Sequence, residues 1–137
     1  MHPLGKLRDA GPPPTVEQVA ALLAENVILN SPILIRPVEG RIAVAPAIVQ
    51  SAHSRDAVGD SVLEHRLDQH TTFLRWKGTV EGHKFESLEL LVDGPDGLVV
   101  ERAIAYGPFP ALKIFRDKMR ASPASKALPD DMWDYAV

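Results

Sequence analysis

Residues 71–108 read TTFLRWKGTVEGHKFESLELLVDGPDGLVVERAIAYGP, three apolar-rich runs separated by Glu81-Gly82 and by Gly94-Pro95-Asp96-Gly97. Two turn signals this close together leave an antiparallel β-meander as the arrangement that uses both. If Glu81-Gly82 is a two-residue hairpin loop, Val80 faces His83. With Pro95-Asp96 central in the second turn, Gly94 faces Gly97. Counting back sets Glu89 opposite Arg102 on one side and near Leu74 on the other. Because side chains alternate along a strand, one face collects Thr72, Leu74, Trp76, Phe85, Ser87, Glu89, Leu91, Val100, Arg102, Ile104 and Tyr106. The other collects Phe73, Arg75, Lys77, Lys84, Glu86, Leu88, Leu90, Glu101, Ala103 and Ala105. An apolar and aromatic face with one acid and one base in its middle has the composition of a pocket wall. The mixed face suits a surface or a subunit contact.

The remaining elements are read around that meander. At 137 residues the chain suits one domain, divided here into an N-terminal extension at 1–14, a domain at 15–121 and a tail at 122–137. A short helix is expected around 4–10, followed by an extended Gly-Pro-Pro-Pro break. Thr15 caps a helix expected over 15–25 on the spacing of Val16, Val19, Ala20, Leu22 and Leu23. The run from Asn26 reads as a strand stopped by Pro32, and 33–40 as a short extended return. Helical patterns recur at 41–53, where Pro46 implies a late start or a bend, and at 110–120, where Leu112, Phe115 and Met119 share a stripe. Between them, 61–68 reads as the strand that leads into the meander. The tail has the composition of a disordered segment, except that Met132, Trp133 and Tyr135 call for a docking surface.

Several function classes fall away on composition. A net charge of −3 gives no clustered cation for a nucleic acid. The absence of cysteine removes disulfides, thiolate metal sites and a cysteine nucleophile. His2, His53, His65, His70 and His83 show no metal-ligand spacing, and a scattered set of this kind reads as mostly surface. No phosphate loop or nucleophile elbow is present, so no cofactor is expected. Nor is there a signal-peptide-like or membrane-length apolar run, which leaves a cytoplasmic protein without a membrane partner as the expectation.

The order helix, strand, Pro-terminated loop, Gly-started helix, long antiparallel strands and closing helix resembles the nuclear transport factor 2-like superfamily, in particular its SnoaL-like branch. The residues that carry the likeness are Leu22-Leu23-Ala24-Glu25-Asn26-Val27, Ser31-Pro32, Glu39-Gly40-Arg41 and the block from Leu88 to Pro108. The resemblance runs over about 15–120 and implies an α+β cone, a curved and mostly antiparallel sheet of four to five strands wrapped by about three helices (a cystatin-like α+β roll). It also implies an apolar cavity and a homodimer formed through the outer sheet face. Against the ketosteroid isomerases of that superfamily, the general-base position before the proline is Ser31, which cannot accept a proton at neutral pH. The position of their oxyanion carboxylic acid falls on Glu89, and that of their oxyanion tyrosine on Leu4 or Leu7. Against limonene epoxide hydrolases, Asn30 matches, whereas Ile28, Lys77 and Ile104 stand where their tyrosine and two aspartates belong.

These residues leave two readings open. In the first, the cone binds a small, mostly apolar molecule and acts as a cofactor-free isomerase, cyclase or hydratase. Glu89 is then the acid–base group, and Arg102 receives an anionic or carbonyl oxygen. Asn30, Ser31, His53, Leu74, Trp76, Phe85, Ser87, Ile104 and Tyr106 complete the candidate site, His53 as a proton carrier. The second reading is a non-catalytic ligand-binding or dimerisation module in which Glu89 and Arg102 form a structural cross-strand pair and the aromatics are core. An epoxide hydrolase runs third. No metal ligand is among the candidates.

Overall fold

A computed structural model describes residues 1–133. Helix α1 (Pro3–Asp9) and the short α2 (Val16–Ala20) precede strand β1 (Leu23–Asn30) and the two-residue β2 (Val38–Glu39). Helix α3 (Arg41–Ser54) leads into β3 (Gly59–Arg66), β4 (Thr71–Val80), β5 (His83–Asp93) and β6 (Val99–Gly107), and α4 (Phe109–Ala121) closes the fold. The sheet has six strands in the order β2-β1-β6-β5-β4-β3, parallel only between β1 and β6. This is the expected α+β cone, with one strand more than anticipated because residues 38–39 pair with Ile28 and Leu29. Among the described residues, no helix is long and apolar enough to cross a membrane.

The meander carries the expected faces by an unexpected route. Val80 pairs with His83 across Glu81 and Gly82, both at positive φ, as a type I′ turn requires. Asp56 helps hold Glu81 in that conformation, accepting from the backbone N–H of Glu81 and Gly82 and from the Thr79 hydroxyl. At the second turn Glu89 pairs with Ile104, and Arg102 faces Leu91, so the expected register is off by two residues. One residue enters where Gly97, at φ 82, follows the turn, as in a bulged three-residue loop. The other enters at a bulge between Val92 and Asp93. A single slip would have exchanged the faces; two restore them. Val99 rather than Val100 is buried between the two slips.

The helix expected over 15–25 stops at Ala20. Thr15 and Gln18 form a reciprocal capping box at its start, but Leu22 lies in the turn that follows and Leu23 opens β1. The Leu22 carbonyl accepts from the Val99 amide, and Leu23 pairs with Val99. Pairing with β6 thus overrides a spacing that also suits a helix. Pro46 neither delays nor ends α3, because the carbonyl it leaves without a donor is that of Ile42, an exposed residue.

Two segments outside the cone cover its ends. Buried His2 accepts from the Leu4 amide through Nδ1 and meets Asp93 through Nε2, which fixes α1 over the sheet and takes this histidine off the expected surface. The tail from Ser122, expected to be disordered except for docking by Met132, Trp133 and Tyr135, forms two 3-10 turns, Pro123–Ala127 and Asp130–Trp133. Burial of Met132 and Trp133 supplies the apolar area that the composition lacked. Tyr135 lies outside the described residues.

Candidate functional site

Strand alternation aims Glu89 into the interior, where it is 2 % exposed. Its Oε1 accepts from Arg102 Nε at 2.9 Å and Nη2 at 2.5 Å, a diagonal contact that survives the register shift. Its Oε2 accepts from Arg8 Nη1 and from the Ser87 hydroxyl at 3.3 Å. Burial alone would raise the Glu89 pKa, but the two guanidinium groups outweigh it and hold the carboxyl down at about 2. For Arg102, burial opposes the charge, while Glu89 and Tyr106 keep its pKa above the ordinary value. Glu89 is therefore a fixed anion at neutral pH. It has neither the raised pKa of a general acid nor a free oxygen for a general base.

A third guanidinium stands beside this pair. Arg55, at the C-cap of α3, lies 4.8 Å over the Trp76 ring and donates to Ser51 Oγ at 3.3 Å. Trp76 can lie flat there because the paired Gly59 and Gly78 leave room; a Cβ on either would come within 2.3 Å of the ring. Asp9 accompanies Arg8, its Oδ1 3.5 Å from Arg8 Nε.

The interior is narrower than the cavity expected. Arg102, Tyr106 and Ser51 cross it, the Ser51 and Tyr106 oxygens 3.4 Å apart, and divide it in two. The polar compartment is bounded by Leu4, Leu7, Arg8, Ile48, Arg55, Leu74, Glu89, Leu91 and Arg102. The apolar one is bounded by Leu29, Ile33, Ala47, Ile104, Tyr106, Phe115, Met119, Leu128 and Trp133. Each leaves about 30 Å³ to the centre of a water-sized sphere, room for about two waters. Helix α1 closes the first and residues 122–133 the second. Wider hollows lie outside, one of about 720 Å³ beside Leu63, Arg75, Lys84 and Glu86 and an open trough of about 480 Å³ over Pro32, Phe73, Leu88, Leu90, Ala103 and Ala105.

Of the residues singled out in the sequence, Glu89, Arg102, Ser87, Leu74, Trp76, Phe85, Ile104 and Tyr106 face inward together. Phe85 stacks on Tyr106 at 4.7 Å and packs on Phe115 at 5.1 Å. Three others lie differently. Asn30 alternates to the outer face and donates to Glu101 at 2.9 Å, because its neighbour Leu29 takes the inward position. Ser31 borders the apolar compartment, but its Oγ accepts weakly from the Ile33 amide at 3.4 Å, the turn-forming role available ahead of Pro32. His53 is exposed on the side of α3 away from the cone and cannot carry a proton to it. Arg8 and Arg55 lie on α1 and at the end of α3, off the meander, so strand alternation in the sequence gives no signal for either. Among the described residues no group of three or more His, Asp or Glu side chains is placed to hold a metal ion.

A six-stranded, mostly antiparallel curved sheet wrapped by helices gives this chain the cystatin-like, NTF2-like fold. An uncharacterized protein with a cystatin-like fold from Silicibacter pomeroyi superimposes with a TM-score of 0.78 at 20% identity, over 88% of this chain and 85% of the other. A steroid delta-isomerase from Pseudomonas aeruginosa gives 0.73 at 17% identity, over 82% of each chain. An NTF2-like protein of unknown function from Cytophaga hutchinsonii gives 0.58 at 13% identity, over 81% of this chain and 88% of that one. No protein-family model matches the sequence, and no curated protein does. Likeness at these identities establishes the fold, while the chemistry rests on the residues above.

Proposed function

We propose that this chain binds a small, mostly apolar molecule inside the cone and does not use Glu89 as an acid or base. The observation that carries the reading is the pair of compartments meeting at Ser51 and Arg102, one apolar and one charged. A ligand larger than a few atoms enters by displacing α1 or residues 122–133, the covers formed near the two ends of the chain. An isomerase or epoxide hydrolase on this scaffold needs a proton acceptor near the ligand. Ser31, Lys77 and the clamped Glu89 do not offer one.

The test is methyl NMR during titration with the neutral probes 2-naphthol and benzyl alcohol. Shifts are expected at Leu29, Ile104 and Met119. Shifts confined to Leu88 and Leu90 would move binding to the outer trough and end the cone reading.

A second proposal rests on that trough. Leu88 and Leu90 are 49% and 39% exposed in one row, beside Phe73, Ala103 and Ala105, which suits a homodimer through the outer sheet face. Sedimentation should show a wild-type dimer and a monomeric Leu88→Lys/Leu90→Lys double variant; a monomeric wild type at ~100 μM removes the proposal.

A further inference from the structure

The polar compartment holds more positive than negative charge. Around it stand Arg8 and Asp9 from α1, Arg55 from the end of α3, Glu89 from β5 and Arg102 from β6. Glu89 is shared by Arg8 and Arg102, and Asp9 is held by Arg8 and by the Ser61 amide at 3.2 Å. The nearby Asp56 is taken up by Thr79, Glu81 and Gly82. Arg55 is left with a hydroxyl at 3.3 Å and the face of Trp76. No carboxylate of the described residues forms an ion pair with it. Burial pushes its pKa below the ordinary arginine value, with Arg8 and Arg102 adding to the effect and Tyr106 and the more distant Glu89 opposing it. A partly buried guanidinium without a counter-charge is costly to hold.

Position strengthens the case. Arg55 lines the polar compartment and also the hollow above it, where Gly11, Pro13, Pro14, Ala52, Val58 and Trp76 form the rim. It stands where a molecule would pass from solvent into the cone, braced by a ring that its own planar group covers.

We propose that Arg55 is the seat of a carboxylate on the bound molecule, whose apolar body points inward past Arg102. Three guanidinium groups against two carboxylates leave one positive charge, which matches a monoanion. The flat fork of an arginine suits the two oxygens of a carboxylate. This inference rests on the small-molecule reading given above and narrows it to apolar monocarboxylic acids.

The experiment compares 2-naphthoate, methyl 2-naphthoate and 2-naphthol by calorimetry, on the wild-type chain and on Arg55→Gln. The carboxylate is expected to bind at least ~10-fold more tightly than the neutral probes, as a charged hydrogen bond in a partly dry site allows. In Arg55→Gln that gap closes, while 2-naphthol affinity stays as it was. Arg55→Lys, which keeps the charge and loses the fork, serves if the Gln variant folds poorly, and should retain only part of the gap. Equal binding of all three probes by the wild type, or a gap that survives loss of Arg55, overturns the carboxylate assignment and leaves the cone reading standing. Failure of every probe to bind overturns both.

Discussion

Glu89→Gln should lower the stability of the folded chain by about 3–5 kcal/mol, the usual cost of removing one partner from a buried ion pair. The melting temperature should fall by roughly 10 °C or more in a domain of this size. The amide keeps the shape of the side chain, so packing is not what is lost. Arg102, 5 % exposed, and Arg8 would share an interior without their counter-ion. Replacing the whole cluster, as in Glu89→Leu with Arg102→Met, Arg8→Leu and Asp9→Asn (Asp9 being paired with Arg8), should recover most of the loss, because well-packed apolar residues commonly serve the fold as well. If they do, the charges are there for something other than folding.

Acid titration provides a second readout on the same residue. The Glu89 pKa lies near 2 in the folded chain against an ordinary 4.5. A depressed carboxylate contributes stability that is complete above 4.5 and disappears as the pH falls toward 2. At about 1.4 kcal/mol for each pKa unit, the span corresponds to about 3 kcal/mol. The difference in stability between wild type and Glu89→Gln should therefore be flat above about pH 5 and shrink below 4.5. Other carboxylates with lowered pKa values, such as Asp56 and Asp131, are common to both proteins and cancel. A difference that instead changes between pH 6 and 8 would mean a raised Glu89 pKa, and the acid–base role would return.

How much of this was readable before the structure depends on which contacts are local. The meander announced itself through Glu81-Gly82 and the Gly94–Gly97 turn, and alternation then placed Glu89, Arg102 and the aromatics on one face. That inference survived a two-residue error in register only because side-chain direction repeats every two residues. Arg8 and Arg55 reach Glu89 and Trp76 through tertiary packing of a terminal helix and a helix end. No periodicity relates them to the sheet. His53 was misplaced for a similar reason, since a helix near a cavity still has a far side. The near-filling of the cone was beyond sequence reasoning altogether, because it depends on the side-chain directions of Arg102 and Tyr106 and on how closely α1 and residues 122–133 sit.

The second large effect is expected at that C-terminal cover. Trp133 is 3% exposed and lines the apolar compartment, and Trp→Ala at such a site removes about 3–5 kcal/mol of packing. The polar contacts of the segment gather at its two ends, and at the first Ser122 and Ser125 donate to the Met119 and Arg120 carbonyls of α4. Arg116 Nη2 donates to the Trp133 carbonyl at 2.7 Å, and the Ile35 amide donates to the Met132 carbonyl at 3.0 Å. Arg36 and Asp131 form an exposed pair that solvent screens. Indole burial is therefore the main anchor. Because the segment follows α4 and adds no strand to the sheet, its loss is expected locally: 122–133 detaches while the six strands hold. Amide exchange within 122–133 of Trp133→Ala should accelerate by a factor of about 100 or more, at 1.4 kcal/mol per tenfold, with β4 to β6 little changed. Arg36→Ala should leave both regions near wild type. Uncovering Ile104, Phe115 and Met119 in this way should also speed the entry of 2-naphthol. If exchange instead rises equally across the sheet, the segment is part of one cooperative core, and entry to the cone must be sought at α1.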